Sequence, residues 1–189
     1  NPTSLVKTPQ RFSDITWGND NVAIFSDEWY DTRNTKTYLI NPSNPSQQPK
    51  VITDRNSQDV YADPGNFETR KNQYNRYVLA IENDKAFRIG DGYTKEGQFP
   101  FIDELNLKTL QSKRLYTSTF KDKKEDLIEV EDFKKGTVLV QIQSKNDYPN
   151  YYFRNINQKD KLTPITDFKN PFESIKNVSK EVIKYKRKD

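Results

Sequence analysis

Phe12-Ser-Asp-Ile-Thr-Trp-Gly-Asn-Asp-Asn-Val-Ala-Ile-Phe-Ser-Asp-Glu-Trp-Tyr-Asp-Thr-Arg-Asn-Thr-Lys-Thr-Tyr-Leu-Ile-Asn-Pro42, followed by Val51-Ile-Thr-Asp-Arg-Asn-Ser-Gln-Asp-Val-Tyr-Ala-Asp-Pro-Gly65, decides the fold of this chain. Four short apolar runs stand in it, at Ile15–Trp17, Val22–Phe25, Tyr38–Ile40 and Val51–Ile52. Between them lie Gly18-Asn-Asp-Asn21, Asp31-Thr-Arg-Asn34 and Asn41-Pro-Ser-Asn-Pro45, residues whose backbones favour turns. Runs this short, separated by Gly, Pro, Asn and Asp, read as strands joined by hairpins. Four strands in about forty residues is the size of one β-propeller blade.

The same grammar recurs twice downstream. A second unit opens at Arg76-Tyr-Val-Leu-Ala-Ile-Glu82, turns at Asn83-Asp84 and continues through Lys85–Gly90, Phe101–Leu107 and Leu115–Ser118. A third runs through Asp126–Glu131, Thr137–Gln143, Tyr151–Ile156 and Leu162–Asp167. The β-branched density of Thr137-Val-Leu-Val-Gln-Ile-Gln143 marks a central strand. Val51-Ile-Thr-Asp54, Leu115-Tyr-Thr-Ser118 and Leu162-Thr-Pro-Ile-Thr-Asp167 each end a unit with an apolar-Thr-polar pattern, as a short outer edge strand would. The expected fold is therefore all-β: a partial propeller of about four blades of four-stranded antiparallel sheets. Residues 1–170 would form it, with Leu5-Val6 closing a preceding unit. Residues 171–189 would hold a turn or short helix at Ser174–Val178 and a strand from Glu181 to Asp189.

Composition narrows the chemistry. Only 32% of the 189 residues are hydrophobic and 31% are charged, but 13% are aromatic, enough to furnish a β-rich core under a heavily solvated surface. The net charge of +4 is spread along the chain, and only Lys184-Tyr-Lys-Arg-Lys188 is concentrated, which speaks against nucleic acid as a partner. No apolar run has the length of a membrane span. Without Cys there is no disulfide and no thiolate. Without His there is no imidazole base, no His-ligated zinc and no Ser-His-Asp triad. No cofactor is expected. Asn1 is not a translation start, so the chain reads as cut or processed from something longer and its compartment is left unread.

Trp17, Ser26–Trp29, Thr32-Arg33, Thr37-Tyr-Leu39, Asp54–Gly65, Gly97-Gln-Phe-Pro-Phe-Ile-Asp103, Ile165–Phe172 and Glu181–Asp189 form a further pattern. Together they resemble the propeller of prolyl oligopeptidase-family serine peptidases, nearest to the glutamyl endopeptidase (chloroplast glutamyl peptidase-like) branch and its bacterial relatives. The resemblance spans the whole chain. It implies that residues 171–189 lead into an absent α/β-hydrolase domain. That domain would carry the Gly-x-Ser-x-Gly elbow and the Asp and His after it, none of which is here. The ring would be incomplete and open to self-association, and the chain alone would not cleave peptides. In the parent enzyme the propeller would gate and select peptide substrates. A preference for Glu at the cleaved position requires a cationic contact, and Arg33, Arg55 and Arg70, in or beside the family-like loops, are the candidates. The competing role, weighed ahead of it, is pairing with neighbouring Asp or Glu to pin blades together.

Other readings stay in view. Asp54, Asp59 and Asp63 offer oxygens to a cation, but Asp before Pro-Gly is ordinary turn chemistry and is preferred. Trp17 and Trp29 are expected to pack between blades rather than serve as a ligand platform. A standalone propeller-type binding module is the alternative to the peptidase fragment, and a carboxylate-based propeller glycosidase, which needs no His or Cys, is the third.

Overall fold

The computed structural model describes residues 4–158, 161–175, 177–178 and 181–187. The first sheet is β1 (Arg11–Asn19), β2 (Val22–Trp29), β3 (Asn34–Ile40) and β4 (Lys50–Asn56), antiparallel and in sequence order. Its turns are made by the residues the sequence singles out. Asn19 Oδ1 accepts from Asn21 N at 2.9 Å, and Asn41 Oδ1 accepts from Ser43 N at 3.0 Å. The Ser43 hydroxyl then donates to the Asp20 carbonyl at 2.6 Å, tying the two hairpins at that end together.

Strand alternation gives this sheet two different faces. One carries Phe25 stacked on Tyr38 at 4.7 Å and is covered by Leu5 and Val6. The other sends Ile24, Leu39 and Ile52 towards the second sheet.

The connection after β4 is more structured than a plain loop. It holds a 3-10 turn at Val60–Ala62, then β5 (Asn66–Phe67) and β6 (Thr69–Lys71). The run Arg76–Glu82 is not one strand. β7 (Tyr77–Leu79) pairs with β6 as a two-stranded ribbon, while β8 (Ile81–Glu82) pairs with β9 (Lys85–Gly90). Ala80 N donates to the Glu68 carbonyl at 2.9 Å between them, so the chain changes sheets at Ala80. The second sheet then runs β5, β9, β10 (Phe101–Asn106), β11 (Ser112–Thr117) from one edge to the other, with β8 also on β9.

The third sheet is β12 (Lys124–Asp132), β13 (Thr137–Gln143), β14 (Asn150–Asn155) and β15 (Leu162–Pro164), again in sequence order. Residues of β13 alternate between buried and half-buried, as expected of an interior strand. β4, β11 and β15 are all outer strands, as their apolar-Thr-polar pattern predicts. Up-and-down sheets packed face to face are the blades of a propeller. Here four antiparallel sheets, three of them blade-sized, form an open, partial β-propeller.

Two expectations are corrected. Residues 181–187 form no strand, and Val182, Ile183 and Tyr185 are exposed. Among the described residues no strand pairs with them; Lys188 and Asp189 lie outside the described residues. The turn expected near Ser174 is there: a 3-10 turn at Glu173–Ile175, after which Val178 N donates to the Ile175 carbonyl at 2.9 Å. Trp17 and Trp29 do not pack between sheets; they are 48% and 51% exposed on the first sheet. Trp17 pairs with Ala23, which places it on the face of that sheet turned away from the second.

Candidate functional site

The first and second sheets touch through only part of their facing surfaces. Ile24, Val22, Leu39 and Ile52 pack against Leu79, Ala86, Leu105 and Leu107. Further along the same face the first sheet changes character: Asp14, Ser26, Thr35, Thr37 and Thr53 replace the apolar side chains. The cross-strand pairs Asp14–Ser26, Ser26–Thr37 and Thr37–Thr53 put these groups in one row. Hydroxyls do not close against the second sheet as Ile and Leu do, and a cleft of about 370 Å³ remains.

The connection after β4 roofs this cleft, and Arg55 holds the roof. Its Nη1 donates to the carbonyls of Asn56 and Asp59, each at 3.1 Å, and its Nη2 pairs with Asp63 at 3.0 Å. Asp59 caps the 3-10 turn by accepting from Tyr61 N and Ala62 N, and Asp63 Oδ1 accepts from Gly65 N at 2.8 Å. Gly65 has φ 81°, and a Cβ there would lie 2.3 Å from the Ile89 carbonyl oxygen. Only glycine lets the roof approach β9 so closely. Asp59 and Asp63 therefore do turn work, as preferred from sequence, while Asp54 pairs with Lys36 at 3.0 Å.

On the second-sheet side stand Phe67 and Arg88, cross-strand partners on β5 and β9. Arg88 is only 4% exposed. Its Nη2 donates to Ser112 Oγ at 2.8 Å, but its Nε, enclosed by the protein, has no acceptor. The carboxylate directly across β10, Asp103, is engaged by both Nε and Nη2 of Arg114. Burial lowers the Arg88 guanidinium from its ordinary value, with Asp103 pulling the other way.

The three arginines chosen from sequence are not brought together. Arg55 lines the cleft as its roof pin. Arg70 pairs outside it with Glu82 at 2.8 Å and the Ile81 carbonyl at 3.0 Å. Arg33 sits at the β2–β3 turn with φ 57°, its guanidinium 3.8 Å from the Tyr30 ring centroid. Its carbonyl accepts from Ser57 N at 2.7 Å, so it ties this hairpin to the roof. Arg88 was missed because Lys85-Ala-Phe-Arg-Ile-Gly90 reads as a half-buried strand, and alternation alone does not show which face another sheet covers. The available signal was that Arg88 shares its face with the small residues Ala86 and Gly90.

No protein-family model matches the chain. Two curated relatives do, both bearing the name probable glutamyl endopeptidase, chloroplastic. The protein of Arabidopsis thaliana is 31% identical over 205 residues, and that of Oryza sativa subsp. japonica is 31% identical over 204. Each alignment takes in 100% of this chain and 21% of the relative. The chain thus spans about a fifth of the length of the curated relatives it matches. Among solved structures, TolB from Acinetobacter baumannii is similar over 88% of this chain and 35% of that one, with a TM-score of 0.45 and 14% identity. The likeness to glutamyl endopeptidases read from the segments is borne out along the whole chain.

A second groove, about 410 Å³, opens between the second and third sheets. Its charges are largely spoken for: Lys85 pairs with Glu104 at 2.8 Å, and Arg114 with Asp103. The first cleft is the candidate site. Among the described residues no group of three or more His, Cys, Asp or Glu is arranged for a metal ion.

Proposed function

We propose that this chain is the propeller portion of a serine peptidase of the prolyl oligopeptidase family, and that it admits and selects peptide substrates without breaking bonds itself. The observation that carries this is 31% identity, along 100% of the chain, to the Arabidopsis thaliana protein named probable glutamyl endopeptidase, chloroplastic. The blade-like order of the sheets and the absence of any His from the sequence fit the same division of labour.

The nucleophile, its base and the preference for Glu belong to the proposal too, as does an α/β-hydrolase domain following residues 171–189. Arg33, Arg55 and Arg70 remain proposed contacts for a substrate carboxylate. Arg55 and Arg33 also hold the roof, so a change at either shifts the roof as well as removing the contact. Changing any one of the three to Gln in the longer polypeptide, with no change in the preference for Glu over Gln, eliminates that residue.

Labelling with a fluorophosphonate reports an activated serine. The 22.3 kDa chain should not label, whereas the gene product extended past Asp189 should. Label on the short chain, or on neither, overturns the reading.

A further inference from the structure

The two buried arginines of the sheets differ in their partners. Arg154 has Glu125, and even the half-buried Arg55 and the exposed Arg114 have Asp63 and Asp103. Arg88 is as buried as Arg154, yet among the described residues no carboxylate lies within ion-pair distance of it. We infer that the cleft between the first and second sheets is a binding site for a ligand carboxylate, on a molecule of amino-acid to dipeptide size, with Arg88 as its cationic contact.

Three features support this. A buried guanidinium with an unpartnered N–H is costly, and an incoming carboxylate removes that cost while gaining a charge-assisted bond. The enclosed Nε reaches such a ligand by a turn of the guanidinium toward the open cleft. The opposite wall is a row of hydroxyls, Ser26, Thr37 and Thr53 among them, each able to donate to the second carboxylate oxygen or to accept from a ligand N–H. Asp14, exposed at the same wall, is an acceptor for an amine or amide and disfavours a purely anionic ligand. The space, about 370 Å³, lies at the small end of ligand sites. This inference uses none of Arg33, Arg55 and Arg70 and stands whether or not the chain belongs to a peptidase.

The test is titration of the protein with three probes, followed by calorimetry and by the Arg Nε–H resonances in ¹⁵N NMR. The probes are glutarate, the blocked dipeptide acetyl-Ala-Glu-amide, and its neutral counterpart acetyl-Ala-Gln-amide. The Arg88 resonance should shift to saturation with a carboxylate probe and stay in place with the Gln dipeptide. Saturation by glutarate alone marks a site for free acids, and saturation by the Glu dipeptide marks one for peptide-borne carboxylates; both outcomes uphold the inference. Arg88→Lys keeps the charge but loses the planar fork, and should weaken binding by about tenfold or more. If that variant does not fold, Thr37→Val, which removes one wall hydroxyl, should weaken it several-fold. The inference falls if no probe shifts Arg88 at about 10 mM, a concentration at which even feeble sites respond. It falls equally if the neutral Gln dipeptide itself shifts Arg88 to saturation, or if the variant tested binds as wild type does.

Discussion

At the junction between the second and third sheets, Arg154 is 4% exposed and its Nε donates to Glu125 at 2.6 Å. At the junction between the first and second, Arg88 is equally buried and meets a serine hydroxyl and the edge of the cleft. The second junction completes its polar core from within. Tyr116, on β11, donates its hydroxyl to the other Glu125 oxygen at 2.7 Å, so one carboxylate joins two sheets. Burial first, and then the bond to Glu125, push that phenol well above its usual range, so it stays a donor at any working pH. Around this group lie Ile102, Val138, Val140 and Ile142, and Phe87 stacks on Phe133 at 4.1 Å nearby. The first junction packs Ile and Leu over one part and leaves hydroxyls facing a guanidinium over the rest. A buried polar group satisfied by its own chain serves the fold. One left half-satisfied at an opening is placed to meet something else.

The sharpest way to break this contrast is to remove one partner at the closed junction. Arg154→Leu leaves the Glu125 carboxylate buried with only the Tyr116 hydroxyl and should cost about 3–5 kcal/mol. For a domain of this size that lowers Tm by roughly 10 °C, measurable by circular dichroism. Replacing both charges, Glu125→Met with Arg154→Leu, should recover most of the loss, because no charge is then stranded. A single variant as stable as wild type would mean that the junction is not held as described. Arg88→Met at the open junction gives up one hydrogen bond and an unsatisfied donor together, and keeps most of the buried stem. It should change stability by no more than about 1 kcal/mol. A loss equal to that of Arg154→Leu would show that Arg88 serves packing, and would erase the difference between the junctions.

How much of this was legible in the sequence follows from what local patterns encode. Turn residues and alternation act over a few neighbours, so β1 to β4, β9, β13 and the edge strands β4, β11 and β15 stand out in the chain. The switch of sheets at Ala80 does not, because it depends on the Glu68 carbonyl twelve residues earlier. Nothing in the local pattern marks Glu125 and Arg154 for burial. They are buried only because another sheet covers them, and their pairing spans 29 residues. Arg55 was visible as a loop arginine near Asp59 and Asp63, and its role is local. Arg88 was hidden because its significance lies in a missing partner, and sequence does not show which carboxylate Arg114 has already taken. Trp17 and Trp29 look like core residues by type, yet among the described residues the face available to Trp17 is covered by Leu5 and Val6 alone.

Glu68 offers the finest test, because it is the closed junction's other polar link. Its Oε2 accepts from Val130 N on β12 at 3.1 Å, across the gap between the sheets. Burial raises its pKa above the usual glutamate value, the Val130 N–H opposes this, and Glu129 adds a smaller upward push. The proton is therefore held more tightly in the folded protein than in the unfolded chain. Stability from this group is fully present below the ordinary glutamate pKa, and is lost as pH rises through that value to the raised one. Glu68→Gln keeps an oxygen for Val130 N and carries no charge to bury. The variant should match wild type in acid and exceed it at neutral pH, by no more than about 1 kcal/mol. Urea unfolding of both proteins between pH 4 and pH 8 reads this directly, since the gap in midpoint should open as pH rises. A gap that is constant with pH would mean the carboxylate is solvated rather than enclosed. A gap of the opposite sign would mean that the charged acceptor at Val130 N outweighs its burial, and that the closed junction draws on ionised carboxylates at both of its polar links.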